Sequence, residues 1–404
     1  MPSLIAWLDA SSEEQRRMRD IIGLFTDRES RDELGLSAIR DPLGDMLFPG
    51  TSVLHTRARY LLLVPWVYAR ASTHGNPAAE ADNLERTLIG AIRKTDDNSG
   101  LIGMTAGTGV RTLPSSMYWG ILGRLQIRSD ASASRADTLA EHLAANGGGD
   151  LDEAGVQHSA WHTSIPKPPA GFPKELSGGF ALRRDEAEWL RERILTTTPG
   201  TLLAHLTHDG PGEKSRAPWE DPAVLRATGD ARAVLDHARA FSAVVHGAQL
   251  LYNLMLAEAY ESAGYDAVAN PVDDYKERLT AWASTLTEHV DLDTWSVDEL
   301  IHRVALQRGQ PVSARTSRFV TAWTELLQRS ALDELADNGE ARALVIKCER
   351  DSKGAQARIG DPKRLVNWSG GSGAGTLAYR WNSVRRMLVD LHAGLNAQSG
   401  ANDA

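Results

Sequence analysis

Apolar side chains return every third or fourth position over residues 185–195, 230–263, 273–290, 297–307, 313–335 and 376–395 of this 404-residue chain, and the every-second-position alternation of a half-buried strand is scarce. A chain patterned in this way must bury helix faces against one another. The expected class is therefore mostly α: multi-helical, in two lobes, with little β structure. The only extended pieces it suggests are short, at residues 3–7 and 343–348. The length exceeds what one core usually organises, and no fixed-period repeat divides it. The expected layout is an N-terminal helical module over 1–147, a Pro/Gly-rich linker or long loop over 148–182, a C-terminal helical lobe over 183–395, and a polar tail over 396–404 expected to fray.

Within the first module, Ser11 or Ser12 followed by Glu14 and Gln15 has the form of a capping box opening a helix that runs to Phe25. A second helix is expected to start at Thr51 or Ser52, because Leu54, Ala58, Leu61 and Leu62 recur at helical spacing, and the run from Tyr60 to Trp66 is apolar on every side. Residues 83–94 form a further helix. After glycines 103, 107 and 109, Pro114 opens the next one, giving a helix-turn-helix outline over residues 84–125. Residues 131–145 make one more helix before Gly147. The tryptophans at 66, 119, 189, 282, 323 and 381 fall among apolar neighbours and are expected in the core.

A net charge of -9 argues against a protein that coats nucleic acid through overall charge, so any contact with DNA or RNA must be a local patch. The single cysteine, Cys348, can form neither an intramolecular disulfide nor a thiolate zinc cage, which fits the cytoplasm. The N-terminus lacks the pattern of a secretory signal. The apolar run over 60–69 is too short to span a bilayer and is interrupted by Pro65, so no membrane partner is expected.

Several constellations could carry function. Arg57 and Arg59 sit at the entrance of an apolar helix, where a charge must be paired or reach a phosphate, and Asp32, Glu33, Asp41 and Asp45 are nearby candidate partners. Either they close salt bridges inside a helical module or they form a binding surface. The glycine loop with Gly370, Gly371, Gly373 and Gly375 precedes a helix expected to open at Thr376. Its amides, with Arg380, Arg385 and Arg386, could hold a phosphate, although no Gly-Lys-Ser/Thr of a Walker loop follows. A hinge is the alternative. Arg111 and Arg124, with Arg128, flank the helix-turn-helix outline, where Ser115, Ser116 and Tyr118 would lie in the first turn of the reading helix.

His158 and His162 are spaced like metal ligands on one helical face, but in a Pro/Gly region without the HExxH pattern, so they are weak candidates and no metal or cofactor is assigned. His205, His208 and Asp209 are explained as well by turn chemistry. Glu349, Asp351 and Lys353, following a strand at 343–348, would suit a metal-dependent phosphodiesterase or nuclease. Cys348 has no adjacent histidine and is expected to be a buried small hydrophobe.

The segments WLDASSEEQRRMRDIIGLF, DELGLSAIRD, FPGTSVLHTRARYLLLVPWVY, LIGMTAGTGVRTLPSSMYW, VNWSGGSG and LAYRW together resemble a bacterial family known only as a domain of unknown function. The resemblance covers most of the chain, is weakest in the middle third, and carries no catalytic residues with it. It implies an association with phage-defence gene clusters. With no convincing catalytic set and three arginine-bearing surfaces, the expectation is a non-catalytic component of a nucleic-acid-processing or phage-defence assembly, binding a partner protein and DNA. The alternatives are the metal-dependent nuclease and a pure protein scaffold.

Overall fold

The computed structural model describes residues 32–146 and 159–397, so the capped helix over 11–25 and the strand at 3–7 fall outside it. The described residues are mostly α-helical and contain no strand; an isolated bridge joins Arg128 and Trp161. They divide into two compact units, each assembled from separated stretches of chain.

One unit holds residues 32–43 with Asp236–Leu377. Its centre is the helix Gly229–Ser262, which belongs to this unit from Asp236 on. An 18-residue window of this helix is apolar enough to cross a membrane, with mean hydropathy 1.3. In the fold 89% of that window is buried, as in the core helix of a soluble protein. Pro271–His289, Val297–Arg308, Ala314–Arg329 and Gly339–Lys353 complete the unit's longer helices. Trp282 and Trp323 donate their ring N–H groups to the Ala243 and Val244 carbonyls, and a Cβ on Gly247 would stand 2.3 Å from the Trp282 ring. Gly247 is therefore a contact surface for an indole rather than a flexible joint.

Residues 343–348 are helical, contrary to the strand expected there, because Asn338 caps the Ala341 N–H and Ala341, Val345 and Cys348 then bury one helical face. The glycine loop also differs from expectation. Helix starts at Trp381 and not at Thr376, since Tyr379 and Arg380 both take positive φ and break the turn before it.

The other unit holds Gly44–Leu235 and 378–397. Pro77–Ile92 begins with Asn76 as cap and Pro77 at its first position, Pro114–Arg124 likewise begins with proline, and Arg135–Asn146 follows. The final helix, Trp381–Asn396, packs against Arg184–Thr197. Residues 159–182 contain no helix, yet Trp161, Phe172, Leu176 and Phe180 are buried.

Tyr60–Ala71 starts eight residues or so later than its spacing suggests. The N–H groups of Thr56 and Arg57 bond to the Tyr118 hydroxyl at 2.8 and 3.0 Å, and that of Ala58 to Asp390 at 2.9 Å. Thr51 does not cap; its hydroxyl donates back to the Phe48 carbonyl. Backbone donors that a longer helix would have satisfied are taken by side chains from distant parts of the sequence.

Candidate functional site

Arg57 and Arg59 close salt bridges within their unit. Arg57 is 8% exposed and bonds bidentately to Asp97, at 2.7 and 2.8 Å, and through Nε to Asp390 at 2.9 Å. Burial works against its charge, but the hydrogen bonds to the two carboxylates outweigh it and hold its pKa above the ordinary value. Burial in turn raises Asp390, which the bonds from Arg57 and the Ala58 N–H only partly offset. Arg59, 1% exposed, donates to Glu186 at 3.0 Å and to the carbonyls of Ser177 and Gly179. Asp32 instead caps the helix Ser37–Leu47 through the N–H groups of Leu36 and Ser37, and Asp41 meets Arg40.

A second ionic centre lies in the first unit. Glu349 is fully buried; one of its oxygens accepts from the Tyr252 hydroxyl at 2.7 Å and the Arg358 N–H at 2.8 Å, and the other from the Ile359 N–H at 3.0 Å. Lys353 pairs with Glu33, which Arg358 also reaches at 3.3 Å. Asp351 points elsewhere and pairs with Lys347 at 2.6 Å. Residues two apart face the same side of a strand but point away from each other on a helix, so Glu349 and Asp351 do not converge as a metal pair. Cys348 is buried, donates to the Leu34 carbonyl, and has its thiol pushed up to about 12 by burial.

The glycine loop is fastened in the same unit. The Asn253 side chain both donates to the Ser372 carbonyl and accepts its N–H at 2.8 Å, Tyr275 donates to the Gly370 carbonyl, and Arg358 to the Ser372 hydroxyl. Gly371 and Gly373 are buried in it. Gly373 takes φ +57° and Gly370 +85°, a conformation that a side chain would strain.

Among the histidines, His158 lies outside the described residues. His162 Nε2 accepts from Arg193 at 2.9 Å, occupying the lone pair a metal would need, and burial together with the Arg193 charge lowers its pKa. His205 meets the Ala223 carbonyl, His208 meets Arg191, and Asp209 pairs with Arg226. Among the described residues, no group of three or more His, Cys, Asp or Glu could hold a metal ion.

The helix-turn-helix outline has a connection over residues 93–113, against the three or four or so of a DNA-reading turn, and Ser115 and Tyr118 point into the core. Ser115 gives its N–H to Glu85, a buried carboxyl pushed up to about 7 by burial. Arg128 is enclosed by the carbonyls of Asp130, Ala131 and Ala133 over the Trp119 ring. Arg111 and Arg124, by contrast, are exposed.

Arg380, Arg385 and Arg386 occupy the second unit, in and before the first turns of Trp381–Asn396. Arg380 bonds to Asp45 at 2.6 Å and to the Thr51 carbonyl. Arg385 is half-buried and donates to the Ser215 carbonyl at 2.7 Å. Arg386 is exposed, with no hydrogen bond or ion pair among the described residues. Arg385 and Arg386 line an open groove of about 530 Å³, walled also by Val53, His55, Thr56 and Asn382. Its walls are tied together: Ser383 donates to the Val53 carbonyl, and Trp381 to the Ser215 hydroxyl, which itself donates to Asp221. His55 is buried and neutral, pushed down to about 4 by burial, its ring joining the Ser52 N–H to the Met117 carbonyl.

His55, Thr56 and Asn382 in the groove, and Tyr252, Arg358 and Ser372 in the ionic centre, are residues that sequence reasoning missed. Nothing local marks them, since each acquires its role from a segment far along the chain.

A family model described as "Family of unknown function (DUF6361)" matches residues 2–394, and the chain belongs to that family. No curated protein and no solved structure matches it.

Proposed function

We propose that this member of the DUF6361 family is a non-catalytic component of a nucleic-acid-processing or defence assembly, one that binds a partner protein and contacts DNA through a local basic surface. One contrast carries the reading. The carboxylates and the thiol that suggested chemistry, Glu349, Asp351 and Cys348, are engaged in internal bonds, whereas Arg111, Arg124 and Arg386 are exposed in one unit. Exposed guanidinium groups are suited to phosphate because their planar fork donates two parallel hydrogen bonds. The overall charge of -9 confines such contact to a patch.

The test is binding of the purified chain to labelled single- and double-stranded DNA over a salt series. Affinity should fall steeply as salt rises, and charge reversal at Arg111, Arg124 and Arg386 together should abolish it. Binding that ignores both salt and charge reversal would contradict the reading.

A further inference from the structure

We propose that the groove lined by Arg385 and Arg386 is a binding site for the phosphate of a nucleotide unit. The proposal rests on the DNA-contact reading above and locates that contact in one place.

Three observations carry it. The two arginines supply adjacent cationic donors, and Arg386 has no partner among the described residues. Thr56 is part of the lining, and its hydroxyl oxygen, shielded from solvent, makes no hydrogen bond. Such an orphan is uncommon in a folded protein, and a turn of the Thr56 side chain toward the groove would let it bond a ligand oxygen or N–H. The walls are already fastened by the bonds of Ser383 to Val53 and of Arg385 to Ser215, so little ordering is needed on binding.

The choice of a nucleotide over bare phosphate follows from the lining and the size. Val53, 50% exposed, and Val389 present apolar surface beside the arginines, suited to a base or sugar, and about 530 Å³ is far more than one phosphate fills. Glu213, the one acidic residue of the lining, can accept a hydrogen bond from a base N–H, whereas it would repel the side-chain carboxylates of an acidic peptide. An acidic peptide is the competing occupant that this argument disfavours.

Fluorescence anisotropy of the full chain with a labelled oligo-dT strand tests the assignment, with AMP, inorganic phosphate and a polyglutamate peptide as competitors. Arg386→Glu and Arg385→Ala should each weaken binding about tenfold and lower the salt slope by about one. Thr56→Val should weaken it about fivefold while leaving the urea midpoint unchanged or higher, which a merely structural threonine would not do. AMP should displace the strand at concentrations where phosphate and polyglutamate do not. If the strand binds but ignores all three substitutions, and Arg111→Glu with Arg124→Glu abolishes binding, the groove assignment is overturned while the DNA-contact reading stands. If AMP binds and the strand does not, the groove assignment stands and the DNA-contact reading falls. Displacement by polyglutamate as effective as by AMP would overturn the nucleotide assignment.

Discussion

Asp390 accepts the backbone N–H of Ala58 from 332 residues away, at 2.9 Å, and holds the neighbouring Arg57 through its Nε at the same distance. A residue of the last helix thereby fixes where the buried helix Tyr60–Ala71 begins. Asp390→Ala removes both bonds and leaves Arg57 partly buried beside a single remaining carboxylate. A loss of about 3 kcal/mol in urea unfolding is expected. Asp390→Asn keeps an acceptor for Ala58 and should lose less. Equal and negligible losses would show that the pair does not organise this unit.

Glu349 is expected to act as a structural anchor. Glu349→Ala would leave the N–H groups of Arg358 and Ile359 without acceptors, and a cost of about 3 kcal/mol is expected, whereas Asp351→Ala, which removes an exposed pair, should leave stability nearly unchanged. Chemical denaturation of the two variants side by side checks the contrast. Comparable effects would be inconsistent with it.

Gly247→Ala should destabilise the first unit by about 1–3 kcal/mol, because the added methyl falls on the Trp282 ring and neither helix can move without disturbing the Ala243–Trp282 bond. Helix propensity alone would favour alanine by about 1 kcal/mol, so a gain in thermal stability would contradict the packing argument.

Glu85 makes stability depend on pH. Its folded pKa, about 7, lies above the ordinary carboxyl value because burial opposes the charged form, and one of its oxygens has no partner. The folded state therefore holds the proton more tightly than the unfolded chain. The contribution is fully present below about pH 4.5 and is lost as pH rises through 7, with a magnitude on the order of 2–3 kcal/mol. Urea midpoints measured from pH 5 to 8 should fall for the parent chain and fall less for Glu85→Gln. Parallel pH profiles would refute the assignment.

Much of the helical fold was legible because its signals are local. Pro114 sits at a helix start, and the long spacing pattern around residues 230–263 marks the central helix, whereas the helix expected over 83–94 begins earlier, at Pro77 behind its Asn76 cap. The late start at Tyr60 was not legible, because Tyr118 and Asp390 hold the preceding N–H groups, and no property of Thr51 or Ser52 announces that competition. The run at 343–348 is apolar but short, and such a run reads alike as strand or buried helix until its Asn338 cap is weighed. For the candidate site, Arg385 and Arg386 stood out as charges, whereas nothing in the sequence marks Thr56. Arg57 and Arg59 stood out equally, and only burial separates arginines that join helices from those that face a groove.

The central claim, a binding component that contacts DNA without cutting it, is tested most directly by incubating the purified chain with labelled single-stranded DNA across a salt series with Mg²⁺ present, reading bound and cleaved strand in the same lanes. The account predicts an intact strand whose retention weakens steeply with salt and disappears on charge reversal of Arg111, Arg124 and Arg386. Cleavage by the parent chain that is lost in Glu349→Gln, or no retention at any salt concentration, would contradict it.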